Sequence, residues 1–144
     1  MRVAEIMRTP AVSCTPRNTI REVANQMADR SVGSVIVIDE VGEVAGIVTD
    51  RDIAIRGVAA GHTGDIPIQE IMTRNVASVE PRTDVADAVA VMVKRGVRRL
   101  PVVDEVGTAH GLVALDDVVR LVGRQSDELG DLIAAQSSRS RVDA

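Results

Sequence analysis

The sequence contains no Phe, Tyr or Trp in 144 residues. Any core must be assembled from Val, Ile, Leu, Met and Ala, and the aromatic platforms on which single-stranded nucleic acids stack are excluded. A bound base would have to lie between aliphatic side chains and backbone. There is one cysteine, Cys14, so an intramolecular disulfide is excluded. No apolar run approaches the ~20 residues of a membrane-spanning helix, and Met1 to Thr9 carries charge without the apolar stretch of a secretion signal. The net charge of −4 speaks against a general nucleic-acid or anionic-membrane surface. The expectation is a cytoplasmic protein with neither nucleic acid nor membrane as a partner. Gly-rich phosphate loops of the Walker or dinucleotide type are missing, and so is a His paired with Ser or Cys around a nucleophile; no enzyme activity is expected. His62 and His110 lack partners at metal-ligand spacing, so no metal is expected either.

What the chain does have is an internal repeat. Shifted by 65 residues against itself, Glu5-Ile6-Met7 falls on Glu70-Ile71-Met72, Pro16-Arg17 on Pro81-Arg82, and Met27 on Met92. Asp39-Glu40-Val41-Gly42 falls on Asp104-Glu105-Val106-Gly107, Gly46 on Gly111, and Asp52 on Asp117. The register runs without a gap, with roughly a third of the positions identical, which marks two copies of one structural unit.

Each copy has the same local grammar. A short helical lead segment, Val3 to Met7, precedes an extended run, Ala11 to Cys14. Thr19 with Glu22 forms a capping-box signature, and Ile20, Val23, Ala24 and Met27 make one apolar helical stripe. Val35 to Ile38 reads as a buried strand, Asp39 to Glu43 as a hairpin turn, Val44 to Thr49 as its partner strand. A helix then starts at Asp50 and runs to Arg56, with acids suited to its N-terminal dipole. The second copy repeats this with Ala77 to Val79, the stripe Val85, Ala88, Val89 and Met92, the hairpin Leu100 to Val103 with Leu112 to Ala114, and the helix Leu115 to Val122. The expected fold is therefore α/β (α+β): two β-α-β-β-α repeats packed with pseudo-two-fold symmetry, since one unit of this size buries its own faces poorly. The expected domains are a first repeat over 1–57, a linker over 58–67, a second repeat over 68–124, and a tail over 125–144 with a short helix, Glu128 to Ala134, and a disordered end, Gln136 to Ala144.

Two stretches, Gly46-Ile47-Val48-Thr49-Asp50-Arg51-Asp52-Ile53 and Val97-Arg98-Arg99-Leu100-Pro101-Val102-Val103-Asp104, resemble the signatures of the cystathionine-β-synthase-type (CBS) domain family. With the two-copy repeat, the resemblance covers the chain to about Val122 and points to small stand-alone bacterial CBS pairs. It implies two clefts between the repeats, each able to take an adenosine-containing ligand. A Thr or Ser and an Asp three residues on hold phosphate and ribose, and the other repeat supplies the base-lining strand and the phosphate-facing residues before its next strand. Carried onto this chain, the resemblance gives Thr49, Asp52, Ile47 and Arg51 from one repeat, with Val76 and Ala77 at the base and Arg98 and Arg99 at the phosphate. The chemistry agrees: a carboxylate accepts both hydroxyls of a ribose diol, a hydroxyl and free N–H groups at a helix start suit a phosphate, and arginine adds charge-assisted bonds. Alternation along a strand would turn only one of Arg98 and Arg99 into the cleft. The second site keeps Asp117, but Ala114 replaces the threonine and Gly33 and Ser34 replace the arginines, so a stronger site at Asp52 and a weaker one at Asp117 are expected.

Each of these residues also suits a plainer role. Thr49 and Asp52 also suit an N-cap and its dipole; Arg98 and Arg99 suit a solvated pair, and Asp50 and Arg51 a solvated helix start. Cys14 suits a small buried hydrophobe, Asp116-Asp117 a helix N-terminus, and the recurring methionines core packing. On balance the expected function is a regulatory sensor for an adenine nucleotide. AMP is favoured over ADP or ATP because basic groups for further phosphates are few; S-adenosylmethionine, NAD(H) and cyclic dinucleotides are not separable from it by sequence. No cofactor is required, AMP or ATP being a regulatory ligand. A homodimer is expected through Ile53, Val58, Val118, Leu121 and Val122, with a further protein partner to carry the output. The alternative is a ligand-free structural or stress-response interaction protein that acts as a dimer.

Overall fold

The computed structural model describes residues 1–142, with side chains through Gln136. After a one-turn 3-10 helix at Val3–Glu5, the first repeat runs β1 (Ser13–Cys14), α1 (Ile20–Arg30), β2 (Ser34–Ile38), β3 (Val44–Thr49) and α2 (Asp50–Asp52). α2 continues as a wider π-helical segment, Ile53–Val58. The second repeat opens with a 3-10 turn at Ile68–Glu70 and contains α3 (Val85–Arg95), β4 (Arg99–Val103), β5 (Ala109–Ala114) and α4 (Leu115–Val142). β1 pairs parallel with β2, and β2 antiparallel with β3; β4 and β5 form a separate antiparallel pair.

One substitution explains why the first sheet has a third strand and the second does not. The Ile36 N–H donates to the Val12 carbonyl, which zips β1 onto β2. The repeat image of Ile36 is Pro101, which has no N–H to give. The run expected as a strand at Ala77 to Val79 is therefore reduced to a single parallel bridge, Val79 to Val102. The helix expected at Asp50 to Arg56 also differs. It widens after Asp52, with the Ala59 N–H donating back five residues to the Ala54 carbonyl, and Gly57 lies buried against Ile20 and Ile71.

The two cores are built by exchange. Val3, fully buried, sits in a cluster with Val79, Ala88, Met92, Leu100, Val102 and Val113, all from the second repeat. Ile68, Ile71 and Met72 in turn fill the first repeat's cluster with Val23, Val35, Val37 and Val48. The lead segment of each copy thus packs in the other copy's core. Contacts reciprocate across the repeat register: Arg8 bridges Leu112 as Thr73 bridges Ile47, and Arg2 bridges Asp84 as Pro67 bridges Thr19. Glu43 bridges its own repeat image, Thr108, which fixes the position of a pseudo-two-fold axis. The matched glycines Gly46 and Gly111 are required by this crossing. A Cβ on either would stand 2.7 Å from the Thr73 carbonyl oxygen or 2.6 Å from that of Arg8.

α4 departs from the reading of a closing helix followed by a separate tail. A single helix runs Leu115–Val142, through the segment expected as a short helix and most of the segment expected to be disordered; Asp143 and Ala144 lie outside the described residues. No proline interrupts it, and Gly123 and Gly130 cost only about 1 kcal/mol each relative to alanine. Among the described residues no helix is long and apolar enough to cross a membrane.

Candidate nucleotide cleft

At the junction of β3 and α2 the chain turns from strand to helix. The Thr49 hydroxyl accepts from the Asp52 N–H at 3.1 Å, and Asp52 Oδ2 accepts from the Thr49 N–H at 3.0 Å, a reciprocal capping box. This lock orients the carboxylate. Its other oxygen, Oδ1, has no hydrogen-bond donor among the described residues, the Arg56 guanidinium standing off at 3.9 Å, and the side chain is 17% exposed. At the earlier site, Thr19, the box is half formed: its hydroxyl accepts from the Glu22 N–H, but the Glu22 carboxylate turns to Asn18.

The Thr49–Asp52 corner forms one wall of a cleft of about 750 Å³. Ile47, Asp50 and Arg51 complete that wall, and the second repeat supplies Val76, Ala77, Arg98 and Arg99. Eight of the nine residues singled out from the sequence, all but Asp117, line this one cavity. Both arginines do so, not one. Arg98 precedes β4, so strand alternation does not govern it, and Arg99, half-buried at the strand's first position, extends toward Gly33. Thr73, Asn75, Arg95 and Val97 also line the cleft and were not foreseen. Thr73 enters through the exchanged lead segment, a packing that local sequence does not reveal.

The symmetry-related cleft holds the ninth residue, Asp117, with Ala114, Gly33 and Ser34, and measures about 150 Å³. Asp117 Oδ2 accepts from the Ala114 N–H at 2.9 Å, copying Asp52, but Oδ1 accepts from Arg120 at 3.2 Å. The oxygen left open at Asp52 is thus occupied at Asp117. Arg120, whose repeat image is Ile55, lies beyond the helix-start positions that distinguish the two sites in sequence.

Elsewhere, burial pushes the Cys14 thiol up to about 11, which keeps it protonated and unreactive. His110 Nε2 donates to Asp104 Oδ2 at 2.7 Å and, with the Thr108 and Val106 N–H groups, holds that carboxyl below its ordinary value.

Two symmetric repeats that exchange their lead segments and enclose paired clefts define a tandem-repeat module. The CBS domain family model matches residues 3–57 and 68–124. The chain belongs to the CBS domain family. It is 37% identical over 120 residues to the uncharacterized protein MK0525 of Methanopyrus kandleri, covering 83% of this chain and 61% of that protein. It is 36% identical over 126 residues to the CBS domain-containing protein YhcV of Bacillus subtilis, covering 88% and 87% of the two chains. Among solved structures, the CBS domain pair of MJ0100, in complex with 5′-methylthioadenosine and S-adenosyl-L-methionine, matches with a TM-score of 0.78 and 30% identity over 85% of this chain and 99% of that one. PAE2072 of Pyrobaculum aerophilum, complexed with AMP, matches with a TM-score of 0.75 and 28% identity over 81% and 89%.

Proposed function

We propose that this protein is a regulatory sensor that binds an adenine nucleotide, AMP ahead of ADP or ATP, in the cleft at Asp52, acts as a homodimer, and turns nothing over. The observation that carries the reading is the inequality of the two clefts. Only the larger has the volume of a small-molecule site, commonly ~300 Å³ or more, and only there does the aspartate keep an open oxygen. In this reading Asp52 Oδ1 accepts from the ribose hydroxyls, the Thr49 hydroxyl spends its free proton on a phosphate oxygen, and Val76 and Ala77 sandwich the adenine. Arg98 and Arg99 hold the phosphate; of the four guanidiniums lining the cleft Arg95 donates to the Asn75 carbonyl, and the three others, counting Arg51, match one phosphate better than three. Solved relatives holding AMP or adenosyl compounds support the ligand class. The output passes to another protein or to the second copy.

Calorimetric titration with AMP and then ATP tests this. Saturable binding near one site per chain is expected, and Asp52→Ala should weaken it at least about tenfold, the loss of a charge-assisted hydrogen bond. Asp52→Asn retains the bond to the Thr49 N–H and separates capping from ligand contact. If neither nucleotide binds the wild-type protein, the ligand-free interaction protein takes its place.

A further inference from the structure

The smaller cleft is not simply an eroded copy of the larger. Symmetry gives it two arginines that the larger lacks: Arg8 stands where the larger cleft has Thr73, and Arg120 is the image of Ile55. Arg8 is pinned by paired backbone bonds to Leu112, at 2.8 and 3.0 Å, so its side chain starts from a fixed point on the rim. Arg99 completes the set and lines both clefts. Its Nη2 lies over Gly33, 3.5 Å from where a Cβ would be, on the ridge whose other side carries Asp50 of the larger cleft. The repeat image of Arg99 is the small, buried Ser34, so the ridge holds one guanidinium where strict symmetry would place two. Of the acids present, Asp117 is engaged by Ala114 and Arg120, and Asp116 is exposed. Neither Arg8 nor Arg99 is in an ion pair among the described residues.

We propose that the smaller cleft binds a small inorganic oxyanion of the phosphate type, and that Arg99, shared between the clefts, makes this anion and the nucleotide antagonists. A volume of 150 Å³ is below that of sites for drug-sized molecules, yet three arginines from three segments line it, Arg8 and Arg99 without an ion-pair partner among the described residues and Arg120 beside Asp117, and guanidiniums are the donors an oxyanion selects. Arg99 serves one side at a time. An anion that draws it toward Arg8 and Arg120 removes it from the nucleotide's phosphate, and the two anions also repel across the ridge. By linkage the antagonism is reciprocal. The coupling rests on the nucleotide reading; the anion site does not.

The test has two arms, both at constant ionic strength set with chloride. In the first, inorganic phosphate is titrated into nucleotide-free protein and followed by phosphorus NMR line width. Saturable binding lost in Arg8→Gln/Arg120→Gln is expected; no binding beyond the chloride control, or binding that this double variant retains, overturns the site whatever AMP does. In the second, AMP is titrated at increasing phosphate, with each variant's own phosphate-free affinity as reference. The apparent AMP dissociation constant should rise at least about fivefold and then plateau, with no rise in the double variant. A rise without plateau that persists in the double variant means direct competition in the larger cleft and overturns the coupling. Failure of AMP to bind at all refutes the nucleotide reading and the coupling with it, and leaves the first arm to decide the anion site.

Discussion

Ser31 and Gly96 occupy the same position in the two repeats, the left-handed residue that ends α1 and α3, at φ 53° and 65°. A side chain with a Cβ is disfavoured in that conformation by about 1–2 kcal/mol, partly offset by the greater freedom glycine loses on folding. Ser31→Gly should therefore stabilise the protein by about 0.5–1 kcal/mol, and Gly96→Ser should destabilise it by a similar amount. Urea unfolding of the pair checks this, and equal signs for the two changes would refute it. Asp104 provides a second residue-scale test. Its carboxyl is held below 3.8 by the hydrogen bond with His110 first, then by two backbone N–H groups. A depressed folded value contributes stability above the unfolded value that is lost as pH falls through the folded one. His110→Ala should consequently move the acid-unfolding midpoint, followed by circular dichroism, to higher pH. Much at this scale was legible. The Thr49–Asp52 spacing announced a helix start, and Ala114 announced a missing hydroxyl. Arg120 was not legible as a partner of Asp117, because a contact one helical turn into the helix competes with solvent exposure and sequence does not say which prevails.

The helices α1 and α3 and the two hairpins were readable from periodicity, since each lies against its own repeat. The lead segments were not. Val3, Ile6 and Met7 are apolar at helical spacing, but the two cores are near copies, so either core offers them the same burial. Only chain geometry decides, and it sends each across. The exchange predicts a crossed pattern of damage. Ile68 belongs by sequence to the second repeat and packs, fully buried, in the first. Ile68→Ala should cost about 2–5 kcal/mol and lower amide-exchange protection first in β2 and β3. Val3→Ala, a smaller deletion, should loosen β4 and β5 instead. Loss of protection confined to the mutated residue's own repeat would contradict the exchange. Pro101 makes the complementary point: its missing N–H removes a strand that the repeat pattern leads one to expect, a chemical detail that periodicity does not weigh.

At the scale of the molecule, the helices that close each repeat leave apolar surface uncovered. Val58 is 72% exposed and Ile55 53% on the first, Val119 60% and Val122 54% on the second. The segments are repeat images but their exposed residues are not: Ile55 and Val58 fall on Arg120 and Gly123, and Val119 and Val122 on Ala54 and Gly57, so each segment carries its own patch. The face differs in detail from the one expected. Leu121 is buried within the chain, and Ile53 and Val118 are half-buried, so Ile55 and Val119 take their places on the exposed surface. Further along α4, Leu129, Leu132 and Ile133 are exposed as well, beyond the last residue matched to the family. A homodimer that covers the closing helices should appear as twice the chain mass in light scattering at micromolar concentration. It should also resist added salt, because apolar burial is not screened as charge pairing is. Ile55→Glu with Val122→Glu places a charge on each patch and should yield a monomer that still melts cooperatively. Leu129→Glu with Ile133→Glu asks whether the distal half of α4 also contributes: a monomer here would extend the interface along the helix, and an intact dimer would confine it to the closing helices. A wild-type monomer at micromolar concentration would refute the assembly, and with it any scheme in which one cleft reports its occupancy to a second copy.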